Sequence, residues 1–569
     1  MERNKRIYQA YSMYRPDFIK KAVLFLCLFA SIATASSQDK NFEIGKNLDI
    51  LNSLYRELDM FYVDTIDAGK TIRRGINAML KGLDPYTEYI SETELDDFKF
   101  LTTGEYGGIG SIISSNKDKN IIVNEPYEGK PAAIAGLKAG DIIVSIDGEK
   151  LQGKSVSQAS EKLKGKAGTS VNLVIQRPGE KKTRKFSLKR ELIQIDAVTY
   201  SGIFEAGNGS KTGYILLNSF TSTSAEEVKN AFLELKKNHG IESLILDLRD
   251  NGGGIMEEAV QIVNLFVPKG QLVVSTKGRL KEWEKSYRTT IDPIDTVMPL
   301  AVLTNNNSAS ASEIVAGALQ DLDRAIILGT RTFGKGLVQS TREVAYNGNL
   351  KLTIAKYYIP SGRLIQALDY SHRDPDGSVG RVPDSLTNVY KTANGRLVRD
   401  GGGITPDSII EEKKAPSILY YLIADNILFD FATEWAIGKD SIPAPEVFSL
   451  TDNDYQAFKE FVKGRNFTYD RQSEKALKNL QEIADFEGYK DIASEEFKAL
   501  EAKLKPDLER DLDKFKPVIT GQINEEIIKR FYYQKGKVRS ALRDDILVKE
   551  AVKILNDKDI SNKLLLPKN

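Results

Sequence analysis

Leu300-Ala301-Val302-Leu303-Thr304-Asn305-Asn306-Asn307-Ser308-Ala309-Ser310-Ala311-Ser312-Glu313 runs a continuous apolar segment into a polar, serine-rich turn. Beyond it, Ile314, Val315, Ala318, Leu319 and Leu322 recur at helical spacing. A short unbroken apolar run reads as a strand buried on both faces, and the periodic stretch from about Ser312 to Leu322 as an amphipathic helix packed against it. A serine at such a junction sits where free N–H groups and the helix dipole favour negative charge. Two readings follow: serines that cap the helix, or a hydroxyl nucleophile beside an oxyanion site.

The same grammar recurs on either side. Ser243–Leu248 is a second apolar strand, ending in Asp247-Leu248-Arg249-Asp250-Asn251-Gly252-Gly253-Gly254, with a helix from about Ile255. Gly213–Leu217 is a third, followed by a helix for which Ser224 and Glu227 predict a capping box. Ala325–Leu328 and Leu350–Tyr357 are further strands. Alternation of this kind predicts a layered α/β core. The glycine run is either a tight turn or a backbone that can approach a ligand closely.

Gly329-Thr330-Arg331-Thr332-Phe333-Gly334-Lys335-Gly336 imitates a phosphate-binding loop. It fails at position 336, a glycine where the hydroxyl for magnesium is needed, and Val338 onward reads as extended. Lys335 is either a solvated surface residue or, if desolvated between its glycines, a base.

Composition excludes several classes. Among 569 residues, Lys+Arg is 80 and Asp+Glu is 79, so there is no basic excess for nucleic acid. Two His and one Cys leave no material for most zinc or iron–sulfur sites or for a disulfide framework. A Ser-His-Asp triad is hard to build, because His239 lies at the polar end of a helix and His372 in a polar loop. A serine nucleophile here would more naturally use a lysine.

The rest of the chain divides by texture. Lys5, Arg6, Arg15, Lys20 and Lys21 precede an apolar run, Ala22 to Ala33, and the small-residue pattern Ala33-Thr34-Ala35. This reads as an export signal or an uncleaved anchor. Residues 42–100 read as helical, broken at Gly82-Leu83-Asp84-Pro85-Tyr86, with a second helix at about 91–99. From 106 a small β module follows, with strands at Ser111–Ile113, Ile121–Asn124, Ile142–Ile146, Val171–Gln176 and Arg184–Leu188 and a helix at Ser155–Leu163. Residues 367–402 read as a long loop or hairpin, and 416 onward as charged amphipathic helices.

Taken in order, these segments resemble the C-terminal processing, or tail-specific, protease family. Leu83-Asp84-Pro85-Tyr86-Thr87 looks like its N-terminal motif. Tyr106-Gly107-Gly108-Ile109-Gly110 and the run Lys130 to Ile143 look like its PDZ module. Asp247 to Gly254, Ser308 to Glu313, Thr332 to Gly336 and Gly402 to Asp407 are similar to its core motifs. Gly252 stands where the family often has Pro.

The resemblance implies roles. Ser310 would be the nucleophile, Lys335 its base and Gln339 the residue that orients the lysine. The N–H of Ala311 and of Gly252 or Gly253 would form the oxyanion hole. Gly108, Ile109 and Gly110 would hold a substrate carboxylate. The implied fold is α/β (α+β): a crotonase/ClpP-like protease core with an inserted PDZ domain and flanking helical regions. The expected division is 1–35 signal peptide or anchor, 36–105 N-terminal helical region, 106–192 PDZ domain, 193–411 serine protease core and 412–569 C-terminal helical domain. The implied activity is a serine endopeptidase that reads the C-terminal tail of protein substrates. The alternative is a catalytically inactive PDZ-containing binding or scaffold protein. No metal or organic cofactor and no nucleic acid is expected. The partners are proteins or peptides with free C-termini, with room for an adaptor lipoprotein and a homo-oligomer. The expected location is the periplasm, with membrane attachment only through an uncleaved N-terminus in the inner membrane.

Overall fold

The computed structural model describes residues 40–370, 373, 378–411, 415–469, 472–504 and 507–567. The expected targeting segment, residues 1–35, and His372 lie outside the described residues. There are two compact units, one up to Tyr89 and one from Ile90 onward. No described helix is long and apolar enough to cross a membrane.

The first unit is helical over 40–61 and Ala68–Lys81. The second helix starts at Asp67, whose side chain accepts the Lys70 N–H at 3.0 Å. It ends before Gly82, where the predicted break falls. Buried Asp84 folds that break into a turn, accepting the N–H groups of Tyr86 and Thr87 at 2.8 Å and the Thr87 hydroxyl at 3.0 Å.

In the second unit, the short helix Leu95–Thr103 leads into a β module. Its antiparallel strands run in spatial order Ser111–Ser115, Ile121–Pro126, Ile142–Ile146, Ser170–Gln176 and Arg184–Lys189. They close over Ile109, Val123, Ile143, Leu173 and Ile175. Ser111–Ser115 lies at one edge and Arg184–Lys189 at the other. Glu105–Gly108 enters the module and pairs antiparallel with Glu191–Gln194, which leaves it. Entry and exit thus share one neck, which is what an insertion into a host fold requires.

The host is a six-stranded sheet in the order Val198–Glu205, Lys211–Leu217, Ser243–Asp247, Leu300–Thr304, Ile326–Gly329 and Ser408–Ile409. The first pair is antiparallel and the others parallel. Ser243–Asp247 and Leu300–Thr304 are buried at every position, because both faces are covered. On one face Leu244, Leu246, Val302 and Ile327 meet Phe232, Val263, Val315 and Leu319 from three helices, Ser224–Glu234, Met256–Phe266 and Ala311–Asp321. On the other, Ile245, Ala301, Leu303 and Leu328 meet Leu547, Val548, Ala551 and Ile554.

That second cover comes from the helix Ile546–Asn556, near the C-terminus. The helices of the 412–569 region make two sets of contacts. Ser417–Ala424, Ile427–Ala436, Asp452–Gly464 and Lys516–Leu542 pack around their own core of Leu422, Phe431, Phe458, Ile519 and Ile527. Ile546–Asn556 belongs with the sheet, where Asp545 caps it by accepting the Val548 N–H at 3.0 Å.

A smaller antiparallel sheet flanks the core. Leu272–Gly278 pairs with Lys285–Arg288 and with Asn349–Tyr358, which pairs in turn with Leu337–Glu343. The expected capping box at Ser224 forms differently. Thr223 is the cap residue, and Ser224 Oγ accepts the Thr221 N–H at 2.7 Å and donates to Ser219 O at 3.1 Å. Glu227 bonds the Thr223 hydroxyl and the Val198 N–H, tying the helix to the first strand.

Candidate active site

The three serines of the 308–312 segment separate by their partners. Ser308 is fully buried, and its hydroxyl donates to Leu248 O at 2.7 Å. Ser312 is equally buried and donates to Asn251 O at 2.8 Å. Both stitch the turn to the loop after Ser243–Asp247. Ser310 is half-buried and lines a cleft of about 610 Å³ together with Gly252, Gly253, Lys335 and Gln339. Its backbone has φ 56° and ψ −112°, a conformation unfavourable for a residue with a Cβ. Such strain persists only where surrounding contacts enforce it.

Asn251, wholly buried, organises the facing loop. Its Nδ2 donates to Leu217 O at 2.7 Å, and its carbonyl accepts the Ala309 N–H at 3.0 Å as well as Ser312 Oγ. Its Oδ1 accepts the Gly253 N–H at 2.9 Å. The Gly253 N–H is thus committed to a side chain, which argues against its expected oxyanion role. Among the described residues, Ala311 N and Gly252 N carry no such bond. Gly253 serves by its shape instead. With φ 100°, a Cβ there would lie 2.7 Å from Ala309 O and 3.0 Å from Ala311 N.

Lys335 is held by its main chain. Gly334 and Gly336 let the loop press onto the 364–367 segment. A Cβ at Gly334 would come within 2.3 Å of Ala367 Cβ, and one at Gly336 within 2.9 Å of Gln366 N. Gln339, on Leu337–Glu343, donates from Nε2 to Thr353 Oγ1 at 3.1 Å and faces the cleft.

Glu313 joins these parts, a role the serine-rich run did not reveal. It is fully buried. One carboxylate oxygen accepts the N–H groups of Ser310 and Lys335, both at 2.9 Å. The other accepts Thr332 Oγ1 at 2.6 Å and the Gly334 N–H at 2.7 Å. Thr332 Oγ1 in turn accepts the Ile404 N–H at 2.6 Å, which ties in the Gly402–Asp407 segment. Burial pushes the Glu313 carboxyl up to about 7, opposed by these four donors. In sequence, a glutamate after a serine run reads only as a helix-start residue.

Gly108, Ile109 and Gly110 lie in the β module and not in the cleft. The Ile109 carbonyl accepts the Ala132 N–H and that of Gly110 the Tyr127 N–H, at 2.8 and 2.9 Å. His239 is exposed. Among the described residues there is no metal-ligating cluster.

Sheet, cleft and β module together define a PDZ-containing serine peptidase. Residues 211–376 match peptidase family S41, residues 122–177 a PDZ domain, and residues 418–555 the C-terminal helical domain of probable PDZ-proteases. The carboxy-terminal-processing protease of Bartonella bacilliformis is 36% identical over 360 residues, 62% of this chain and 81% of that protein. A probable CtpA-like serine protease of Staphylococcus aureus is 36% identical over 323 residues, 56% of this chain and 62% of that protein. Among solved structures, a photosystem II D1 C-terminal processing protease is 29% identical with a TM-score of 0.35, covering 64% of this chain and 87% of that one. The chain belongs to the carboxy-terminal-processing proteases of peptidase family S41.

Proposed function

We propose that this enzyme cleaves exported proteins that it selects by their C-terminal tails, with Ser310 as nucleophile and Lys335 as its base. The observation that carries this is the single buried carboxylate of Glu313, which holds the main chains of both residues at the edge of one cleft. In the reaction, the neutral Lys335 amine takes the proton of Ser310 Oγ as that oxygen attacks the scissile carbonyl. Ala311 and Gly252 N–H groups stabilise the oxyanion, placed at the helix start where the dipole adds to them. The lysine then gives its proton to the leaving amine, and water hydrolyses the acyl-enzyme. Gln339 orients the lysine from the adjacent strand.

The tail binds at the β module. Ser111–Ser115 offers its open edge to an extended peptide, and the loop Gly108-Ile109-Gly110 offers N–H groups to the carboxylate. The basic and apolar N-terminal segment directs the enzyme to the periplasm, and where uncleaved it anchors it to the inner membrane. Co-purification from cells tests for an adaptor lipoprotein, and sedimentation tests for a homo-oligomer.

The deciding experiment measures cleavage of one peptide with a free and with an amidated C-terminus, by wild type, Ser310→Ala and Lys335→Arg. Both variants should be inactive, and wild type should prefer the free tail. Cleavage by Ser310→Ala at the wild-type rate would remove the nucleophile assignment.

A further inference from the structure

One wall of the cleft is a sheet face that reaches well past Ser310. Tyr357, Thr276 and Lys285 stand directly opposite one another on three neighbouring strands, so their side chains share a face. All three line the cleft. Tyr357 begins the row, donating its hydroxyl to Ser310 O at 3.2 Å. Lys285 ends it, two strand spacings or about 10 Å away, which is the span of about three residues of extended peptide.

The turn between Leu272–Gly278 and Lys285–Arg288 is built to hold an indole at that far end. Buried Thr276 donates from Oγ1 to Trp283 O at 2.6 Å and accepts the Lys285 N–H at 3.3 Å. Gly278 lets the turn fold onto the sheet, since a Cβ there would lie 2.4 Å from Ile354 O and 2.8 Å from Trp283 Cβ. Trp283 is half-buried and lines the cleft. Two cations lie over its ring, the Lys285 ammonium and the Arg342 guanidinium, each 5.8 Å from the centre. Among the described residues neither forms an ion pair, although Glu282 and Glu284 are close in sequence. The one carboxylate among the described lining residues, Glu257, acts instead on Tyr287, whose phenol is kept protonated by burial and then by that charge.

We propose that Trp283, Lys285 and Arg342 form a subsite for an acidic residue, which takes an aspartate or glutamate of the substrate about three residues from the scissile bond. This rests on Ser310 as nucleophile, which fixes where the scissile bond lies. A carboxylate that reaches the indole meets both charges. The ring holds the two cations in place by cation–π attraction, so less side-chain freedom is lost when substrate arrives. Its apolar surface receives the CH2 groups of the acid. One exposed charge pair is worth little, and two acting together on one carboxylate give a preference of about three- to tenfold. The three residues bind substrate and take no part in bond breaking.

The test moves one Glu, or one Gln, through successive positions of an otherwise uncharged peptide with a fixed C-terminal tail, and maps the cut by mass spectrometry. With full-length wild type, kcat/KM should be about three- to tenfold higher for Glu than for Gln at one or two adjacent positions, about two to four residues from the cut, and equal elsewhere. That ratio should fall below about twofold in Lys285→Gln/Arg342→Gln, and in wild type at about 0.5 M salt. In Lys285→Glu/Arg342→Glu, a Lys at that position should become better than a Glu, a reversal that a merely structural role would not produce. Binding of the Glu peptide to Ser310→Ala should change tryptophan fluorescence saturably, and Ser310→Ala/Trp283→Phe should lose the change. Four results overturn the subsite: no Glu preference at any position, a preference spread evenly over all positions, a preference that survives loss of both cations, or a fluorescence change that is absent or outlasts Trp283. Cleavage by Ser310→Ala at the wild-type rate would instead refute the nucleophile, and with it the stated distance from the cut.

Discussion

Glu313 Oε2 and the main-chain nitrogen of Lys335 lie 2.9 Å apart, across 22 residues of chain. The bond holds the lysine loop to the first turn of the helix that begins after Ser310. Ser310 and Lys335, the proposed nucleophile and base, are therefore registered through backbone and one buried carboxylate, before any side chain of the pair is considered.

Replacing that carboxylate tests the register. Glu313→Gln turns one acceptor oxygen into an NH2 group facing main-chain donors, and each buried donor left without an acceptor costs about 1–3 kcal/mol. We expect kcat to fall about tenfold or more with tail affinity unchanged, by steady-state kinetics and peptide binding. A variant as active as wild type would show that the register is held elsewhere.

The same residue sets a pH dependence of stability. Its carboxyl rises from 4.5 to about 7 on folding because of burial. The folded state then holds the proton more tightly than the unfolded one. The stabilisation is complete below 4.5 and lost as pH rises through 7. Unfolding free energy should drop by about 3 kcal/mol across that window from this group. Denaturant titrations of wild type and Glu313→Gln at several pH values should differ in slope there.

Ser310 combines backbone strain with its proposed role as nucleophile. Its φ of 56° is costly for a residue with a Cβ and free for glycine. Ser310→Gly should therefore be inactive yet about 1 kcal/mol more stable than Ser310→Ala, by chemical denaturation. Equal stability would mean that the surrounding contacts bear no strain at this position.

The glycine loop should tolerate no side chain at 253. Gly253→Ala places a methyl 2.9 Å from Ser310 Cβ, at a φ of 100°. Displacing the proposed oxyanion donor beside it should cost about 10²–10³ in kcat. Tail binding at the β module should not change, and an anisotropy titration would show it.

Truncating the chain after Asp545 should fail to leave a soluble core. It would uncover Ile245, Ala301, Leu303 and Leu328 on the sheet, where each buried aliphatic side chain contributes about 1.5–3 kcal/mol. It would also remove the helix that Asp545 caps while Asp545 pairs with Arg249 at 2.7 Å. A monomeric, active truncation would place Ile546–Asn556 outside the catalytic core.

Some features were legible because their cause is local. Ser243–Asp247 and Leu300–Thr304 are buried on both faces, so each shows an unbroken apolar run. The helix expected at Ser155–Leu163 forms over Val156–Leu163, with Ser155 accepting the Gln158 N–H at 3.2 Å as its cap. Val198–Glu205 has no fully buried position and Leu272–Gly278 is buried at three of its seven, so neither carries the unbroken apolar run or strict alternation that marks a strand in sequence. Ser224 misled because the sequence shows a hydroxyl and a glutamate at the right spacing, but not that Val198 N–H competes for Glu227.

The sequence by itself determined the order of the elements, the peptidase family, and which serine, lysine and glutamine come from matching segments. Those properties rest on short-range pattern and composition, which the chain carries wherever it folds. Only the tertiary structure decided that Ser308 and Ser312 are stitches while Ser310 faces the cleft. It also gave the Gly253 N–H to Asn251, tied the main chains of Ser310 and Lys335 to Glu313, and placed Ile546–Asn556 on the central sheet. Each of these depends on a partner tens to hundreds of residues away, and hydrogen bonds and apolar contacts act over a few ångströms in space regardless of distance along the chain.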